Sequence, residues 1–469
     1  AVGASTGALV GEFKQSVTGL ENFAYNAGLR SLFEVGGPLT STGLGSTLVY
    51  ASVPAAGGAL VGLLRFATKD FDTSKKEVAA LSRAAAAVAT LGTGNSLGPE
   101  GPCVDLGTSV AESLVSKTPD VGSAERRVLL ASGAAAAVAA GFSAPVAGVF
   151  YALESMLLRS PAQGEEPLPR SAIAAVALSA AVGALVARDV MLCRLEIVQY
   201  SSGSSSGLAE LPFYLGLGAL AGFQATAFER AEKAARRLWK DVPVALRPAS
   251  AGLLCGAVGV ACPQVLFNGY ATLNTILADA HPPSVATLLW YVLLKVATTA
   301  SSRAAGLVGG LFAPALFLGA TAGGAYGQIV GQLIGHVAPP PVYASVGAAS
   351  VLAALVKTPL AASMLLFELT RDYDVVLPLI AATGVATVIV ELSADDDAAA
   401  AQTESLLSGP PQDDEDRVGD EGGPRDEKKK TRRRPPPPED EVIDEAVIAT
   451  TPLASCERKN SVPLADETT

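Results

Sequence analysis

Long stretches without any charged residue constrain this chain more than any other feature of its sequence. No Asp, Glu, Lys or Arg occurs in residues 35–64, 128–153, 248–278 or 304–356. A membrane-spanning helix needs about 20 mainly apolar residues, so the last of these runs can hold two. A large soluble enzyme would instead need amphipathic outer helices with a charged face, and few are present. The pattern predicts an all-α integral membrane protein with ten or more apolar helices. Further candidate helices cover roughly 79–95, 171–187, 208–228, 285–302 and 374–390.

The net negative charge is confined to the C-terminal end. The chain carries 45 acidic and 34 basic residues, and 21 of the acidic and 10 of the basic residues lie in 391–469, so the body is neutral. Residues 394–469 are rich in charge and proline and include "KKKTRRR" followed by four prolines, which is typical of a disordered segment. We therefore expect a transmembrane domain over 1–393 and a disordered tail over 394–469. By composition, a solvated linker is favoured over a lipid-binding segment there.

The sequence offers little material for catalysis or metal binding. The two histidines, His281 and His336, lie beside prolines and have no partner residue in the pattern. The five cysteines lack metal-ligand or redox spacing, and the pair seven residues apart is expected to lie in one apolar core helix. We expect no enzyme, no cofactor, no metal site and no nucleic-acid partner. The cysteines are Cys103, Cys193, Cys255, Cys262 and Cys456.

Two halves of the body share a pattern of breaks and helix starts. The first half contains "GPEGP" and then "SAPVAGVFYALES", and the second contains "GGLFAP" and then "KTPLAASMLLFELT". Pro102 to Pro145 is 43 residues and Pro314 to Pro359 is 45, and in each half nine further residues lead to a glutamate, Glu154 or Glu368. Glycine- and proline-interrupted segments at matching positions indicate an inverted-repeat transporter. We place the repeats at roughly 1–190 and 208–393.

The interrupted segments suggest an anion site. Breaks inside a membrane are tolerated only where the freed backbone groups face a cavity or a ligand. The glycines of the breaks let the backbone approach a ligand closely, and helix starts carry partial positive charge that favours an anion. Two helix starts facing each other would bind an anion without a basic side chain. The broken-helix glycines are Gly98, Gly309 and Gly310, and the N–H groups of Leu311, Phe312 and Ala313 open the second helix.

One acidic side chain, Glu100, stands in these segments. A carboxylate is itself an anion, so it could occupy the site when no substrate does and leave when displaced or protonated, which would make it a gate. It could equally cap its own helix start, a contribution of about 1 kcal/mol. A nucleotide-binding interpretation of "GTGNSLG" is weaker, because no Gly-Lys-Ser/Thr follows and the preceding alanine run is typical of a helix.

The four motifs, in this order and spacing, resemble the signatures of the CLC chloride channels and anion/proton exchangers over roughly residues 80–390. "LGTGNSLGPEGP" is most similar to the plant and algal branch of plastids or endomembranes. The resemblance implies two inverted repeats, a homodimer in the lipid bilayer and one pathway per subunit for chloride or nitrate. It implies a chloroplast membrane (thylakoid or envelope), or alternatively Golgi or another endomembrane. It implies that Glu100 is the gate and that the anion ligands are the backbone amides of Glu100, Gly101, Leu311, Phe312 and Ala313.

The sequence departs from the family pattern at several positions. Pro99 replaces a residue that is basic in many members, and Ser155 stands where exchangers have the proton-relay glutamate. The first signature, G-S-G-x-P, is not found between 34 and 90, and no pore-closing tyrosine follows Tyr373 in the membrane part. Paired CBS domains are not expected in the short polar tail. Glu154 and Glu368 match glutamates near helix ends and are expected to be structural.

Three functions remain open from the sequence. A voltage-gated-type chloride or nitrate channel of the CLC family is favoured. The alternative is an anion/proton exchanger of the same family. An unrelated organic-anion transporter would need polar or basic groups in the broken helices, which "GGLFAPALFLGA" lacks. A membrane enzyme would need a nucleophile–base pair or a metal cluster. Ser155 favours passive flow, because a hydroxyl cannot ionise as a relay through the membrane interior must.

Overall fold

A computed structural model describes residues 1–27, 44–68, 76–118, 121–157, 169–190, 208–278, 283–335 and 337–407. Within these ranges the regular elements are helices, joined by one isolated β-bridge. The predictions for Cys193, Cys456, His281 and His336, and for the tail beyond residue 407, lie outside the described residues. Cys103, Cys255 and Cys262 are buried. The pair expected in one helix is split at its end, because Cys255 lies in the helix Arg247–Ala261 and Cys262 follows its last residue.

Fifteen α-helices run through the described residues. Two of them, α1 and α7, continue into short π-helical turns at Asn22–Ala27 and Val186–Val190, and another such turn, Leu153–Leu157, follows α6. The helices are α1 Val2–Glu21, α2 Leu44–Ala67, α3 Lys76–Gly92, α4 Glu100–Ser116, α5 Ser123–Phe142, α6 Pro145–Ala152, α7 Ala172–Leu185, α8 Leu211–Leu238, α9 Arg247–Ala261, α10 Tyr270–Leu277, α11 Val285–Ala304, α12 Phe312–Ile334, α13 Pro340–Val356, α14 Pro359–Thr370 and α15 Val376–Leu407.

The helices repeat in order between the two halves, which confirms the predicted repeat fold. Helices α1 to α7 correspond to α8, α9 and α11 to α15, and equivalent pairs pack alike: α4 on α5 as α12 on α13, and α5 on α6 as α13 on α14. Helix α10 has no counterpart among the described residues of the first half. There, only residues 68–75 separate α2 from α3, whereas 23 residues separate α9 from α11. This shortened region lies within residues 34–90, where the G-S-G-x-P signature is absent.

Equivalent glycines allow the closest helix packing in both halves. A Cβ atom at Gly107 on α4 would lie 2.3 Å from the carbonyl oxygen of Gly133 on α5, and one at Gly319 on α12 would lie 2.2 Å from that of Gly347 on α13. Small residues let membrane helices approach until backbones touch. The broken helices α4 and α12 are thereby fixed against α5 and α13, and their N-termini are held at defined positions.

Four described helices are long and apolar enough to cross a membrane: Ala172–Asp189, Leu211–Leu238, Val285–Ala304 and Val376–Ala394. Five further apolar helices are shorter, between 10 and 17 residues. The sequence pattern therefore located the apolar segments, but several of them are partial spans because proline and glycine end the helix early. Helix α15 continues to Leu407 and so passes the predicted boundary between 393 and 394.

Candidate functional site: the meeting point of two broken helices

The two interrupted segments pair directly with each other. Gly98 N–H donates to the carbonyl oxygen of Gly310 at 2.9 Å, and Gly310 N–H donates to that of Gly98 at 2.6 Å, forming an antiparallel bridge. Gly98 precedes α4 and Gly310 precedes α12, so both helices begin within three residues of the bridge. Backbone groups that a broken helix leaves free are satisfied here by the equivalent break of the other half.

Side chains are excluded where the breaks meet. A Cβ atom at Gly310 would lie 2.5 Å from the backbone nitrogen of Gly101, and one at Gly101 would lie 2.9 Å from the Cα of Gly310. A Cβ at Gly309 would lie 2.6 Å from the Cβ of Leu97. Close backbone approach therefore requires glycine at Gly310 and Gly101, whereas a side chain at Gly309 would meet that of Leu97.

Glu100 is the first residue of α4 and is buried, with 3% of its surface exposed. Its side chain folds back over the helix start, since a Cβ at Gly98 would lie 2.3 Å from the carboxylate Oε2 and 3.3 Å from the backbone nitrogen of Ala313. The N–H groups of Glu100 and Ala313 both interact favourably with the carboxylate. Among the described residues, none makes a hydrogen bond of standard geometry to Oε2. The carboxylate thus lies between the N-termini of α4 and α12.

The other carboxylate oxygen has a partner that the sequence pattern did not indicate. The hydroxyl of Tyr270, the first residue of α10, donates to Oε1 of Glu100 at 2.5 Å. Tyr270 lies well before the late helix from which the family resemblance implies a pore-closing tyrosine, so the family pattern does not point to it. The available signal was "FNGY", a turn glycine and a tyrosine between two apolar runs.

A cation from α1 also acts on Glu100. The charge of Lys14 attracts the Glu100 carboxylate, while its ammonium group donates to the carbonyl oxygen of Gly141 at 2.8 Å. Gly141 lies in the last turn of α5, where carbonyl groups attract a cation. Pro99 supplies no charge, and Lys14 provides one from another helix. Sequence reasoning missed Lys14 because it is remote from the motif.

The structure brings most of the predicted anion ligands together. Leu311 precedes α12, and Phe312 and Ala313 open it, so their N–H groups are those of a helix start. Ala313 is 1% exposed, and the Phe312 ring packs on those of Phe142 and Tyr151, with centroids 5.8 and 5.7 Å away. The aromatic contacts fix the start of α12 against the end of α5 and against α6.

Ser155 makes its hydrogen bond within its own helix. Its hydroxyl donates to the carbonyl oxygen of Tyr151 at 2.5 Å, and Tyr151 in turn packs on Phe312. Ser155 therefore connects to the second break through one aromatic residue. Its own hydrogen bond leads back along the helix.

Glu154 and Glu368 cap each other's helices, which agrees with their expected structural role. The Glu154 carboxylate accepts from the N–H groups of Leu360 and Ala361 at the start of α14, at 2.9 and 2.8 Å. The Glu368 carboxylate accepts from those of Val146 and Ala147 at the start of α6, at 3.0 and 2.7 Å. The equal nine-residue spacing in the two halves thus produces a reciprocal pair of caps between α6 and α14.

Two inverted helical repeats whose broken helices meet at a buried carboxylate define an ion channel or transporter of the inverted-repeat class. The family described as voltage gated chloride channel matches residues 42–391, which is most of the chain. The chain therefore belongs to the CLC family of chloride channels and anion antiporters. The members of this family are membrane transport proteins, and the family transports chloride.

Plant and bacterial relatives agree with this assignment. The chain is 38% identical over 424 residues to chloride channel protein CLC-e of Arabidopsis thaliana, covering 82% of this chain and 58% of the relative. It is 34% identical over 364 residues to CLC-f of the same plant, covering 71% and 46%. The chain thus spans about half the length of these plant relatives. A putative chloride channel protein, ClcB-like, of Ralstonia nicotianae is 32% identical over 370 residues, covering 71% and 81%.

Solved structures confirm the fold. A slow cyanobacterial Cl−/H+ antiporter superposes with a TM-score of 0.71 at 23% identity, covering 83% of this chain and 92% of the other. A eukaryotic CLC transporter gives a TM-score of 0.65 at 21% identity, covering 83% and 70%. The described part of the chain thus has the all-helical CLC fold.

Proposed function

We propose that this chain moves chloride, or nitrate, through the meeting point of its two broken helices and that Glu100 is the gate. One observation carries the proposal. A buried carboxylate lies between two helix N-termini, where an anion would bind, and one of its oxygens has no standard hydrogen bond among the described residues. Helix starts favour an anion at this place whether the anion is the side chain or a free ion. The carboxylate and the transported ion therefore compete.

The proposed anion ligands are the N–H groups of both helix starts. Gly101 belongs to α4 and Leu311, Phe312 and Ala313 to the start of α12, and the N–H of Glu100 itself completes the set. No charged side chain is needed in such a site, so a small monovalent anion can bind and leave. A larger organic anion would meet backbone rather than space at Gly310.

Replacing the gate tests this proposal. Purified Glu100→Gln and Glu100→Ala proteins in liposomes should pass chloride faster than the unmodified chain, because the competing carboxylate is gone. Chloride and nitrate efflux are compared with Glu12→Gln as the control, since Glu12 is an exposed carboxylate on α1. Unchanged flux in both Glu100 variants would refute the gate.

We propose passive flow rather than proton exchange, with the exchanger as the second candidate. Ser155 cannot ionise, and both oxygens of Glu154 already accept backbone hydrogen bonds. The exchanger is favoured by the antiporter named among the similar structures. A chloride gradient imposed on liposomes should drive no proton uptake if flow is passive. Uphill proton movement at a fixed ratio to chloride would establish the exchanger.

We infer further that the protein is a homodimer in a chloroplast membrane, thylakoid or envelope. The plant relatives support a plant organelle, with Golgi or another endomembrane as the alternative. Fluorescent fusions of the full natural protein, imaged with organelle markers, test the compartment. Mass photometry of the purified protein in detergent tests the dimer, which predicts twice the mass of the chain.

A further inference from the structure

The buried turn that carries Tyr270 is tied to the first break. Phe267 N–H donates to the carbonyl oxygen of Gly94 at 3.1 Å, and Gly94 lies six residues before Glu100. The Phe267 ring packs edge-on against that of Tyr25, whose hydroxyl donates to the carbonyl oxygen of Thr93 at 2.9 Å. The turn before α10 and the loop before α4 are therefore held together by a hydrogen bond and a ring contact.

A buried lysine on α11 holds the same turn from the other side. Lys295 is 0% exposed, and its ammonium group donates to the carbonyl oxygens of Val265 and Phe267 at 2.9 and 2.8 Å. It also lies 5.0 Å from the centre of the Phe317 ring on α12. A buried charge is stable only when its donors are used, so these carbonyl groups are fixed relative to α11.

The two residues directly before Tyr270 restrict its position. Gly269 has φ of +87°, and a Cβ atom there would lie 2.5 Å from the Phe317 ring. The N–H of Tyr270 donates to the side-chain oxygen of Asn268 at 3.1 Å. Tyr270 is thus positioned by contacts to both halves of the fold, with its hydroxyl directed at Glu100.

We propose that Tyr270 is the positioning residue of the gate, whose hydroxyl latches the Glu100 carboxylate in the closed place. The inference rests on the proposed gating by Glu100. A phenol donates a hydrogen bond without adding a charge, so it stabilises the closed carboxylate and does not trap a passing anion electrostatically. To open, the carboxylate must give up this bond. Lys295 serves the latch by fixing the turn from which Tyr270 projects.

Tyr270→Phe removes the hydroxyl and keeps the ring. A hydrogen bond to a charged group is worth enough to shift the closed–open equilibrium about tenfold, which corresponds to about 1.4 kcal/mol. Chloride efflux from liposomes containing the full chain should rise by about that factor while the gate is mostly closed. Chloride affinity measured by calorimetry should tighten in parallel, because the competing carboxylate is held less firmly. Tyr326→Phe is the matched control, since its hydroxyl bonds the Phe213 carbonyl oxygen instead.

The decisive arm repeats Tyr270→Phe in the Glu100→Ala background. A latch acts only through the carboxylate, so the double variant should match Glu100→Ala in flux and affinity. A Tyr270→Phe effect of the same size in both backgrounds would mean that Tyr270 acts through packing, and the latch would be wrong. The latch would also be wrong if Tyr270→Phe had the same flux and affinity as the unmodified chain while Glu100→Ala differed from both. The gating role of Glu100 would then still hold. An unaltered Glu100→Ala would overturn the gate itself.

Discussion

Removing one of the reciprocal caps should loosen the helix pair α6–α14 by a predictable amount. Glu368→Gln keeps the shape of the side chain but loses its charge and one of two acceptors for the N–H groups of Val146 and Ala147. The lost charge–helix interaction and hydrogen bond together should lower the free energy of unfolding by about 2 kcal/mol. Part of this site is exposed on the surface of the chain.

The assay is thermal unfolding of purified protein in detergent. About 2 kcal/mol moves the midpoint of a domain of 150–250 residues by roughly 4–8 °C, and a larger body shifts less, so we expect a fall of about 2–4 °C. Glu154→Gln should cause a similar fall because it removes the equivalent cap of α14. The double variant should fall by less than the sum, because both caps join the same two helices.

The control for the caps is Glu12→Gln, which neutralises an exposed carboxylate on α1. If the Glu154 and Glu368 variants unfold at the same temperature as this control, the reciprocal caps contribute nothing. Retained chloride flux in the cap variants would separate their structural role from the gate. Loss of flux with an unchanged midpoint would contradict the structural assignment.

Two further substitutions test the packing around the site. Lys295→Met should lower the unfolding midpoint, because two buried carbonyl groups lose their donor. The control is Lys117→Met at an exposed lysine, which should leave the midpoint unchanged. Equal midpoints for the two variants would refute the role of Lys295. Gly310→Ala should yield little folded protein on size-exclusion chromatography, because its Cβ would lie 2.5 Å from the Gly101 nitrogen. The control is Gly384→Ala, whose Cβ would meet open space. A normal yield of both variants would contradict the pairing of the two breaks.

The sequence predicted the repeat well because its markers are local. Pro145 and Pro359 can open helices because a proline needs no hydrogen-bond partner in the first turn. The nine-residue spacing from each proline to Glu154 or Glu368 follows from the length of a short helix. What spacing could not supply was the partner, since each glutamate caps the helix of the other half.

The residues around Glu100 were harder to predict because they come from distant elements. Tyr270 is 170 residues away, and Lys14 lies on the first helix. Lys295 did carry a signal, as a charged residue in the middle of an apolar helix of membrane-spanning length whose other charged residue, Arg303, lies in the last turn. An ionisable residue at such a position has a specific partner. Nothing local in "GPEGP" specifies which of these side chains the fold brings to the carboxylate.

The most direct test of the central claim is to locate a bound anion with the gate removed. A crystal structure of Glu100→Gln grown in bromide would show the ion by its anomalous scattering. We expect bromide between the starts of α4 and α12, within hydrogen-bond distance of backbone N–H groups from both. Bromide bound elsewhere, with this position empty, would contradict the claim that the two broken helices form the anion site.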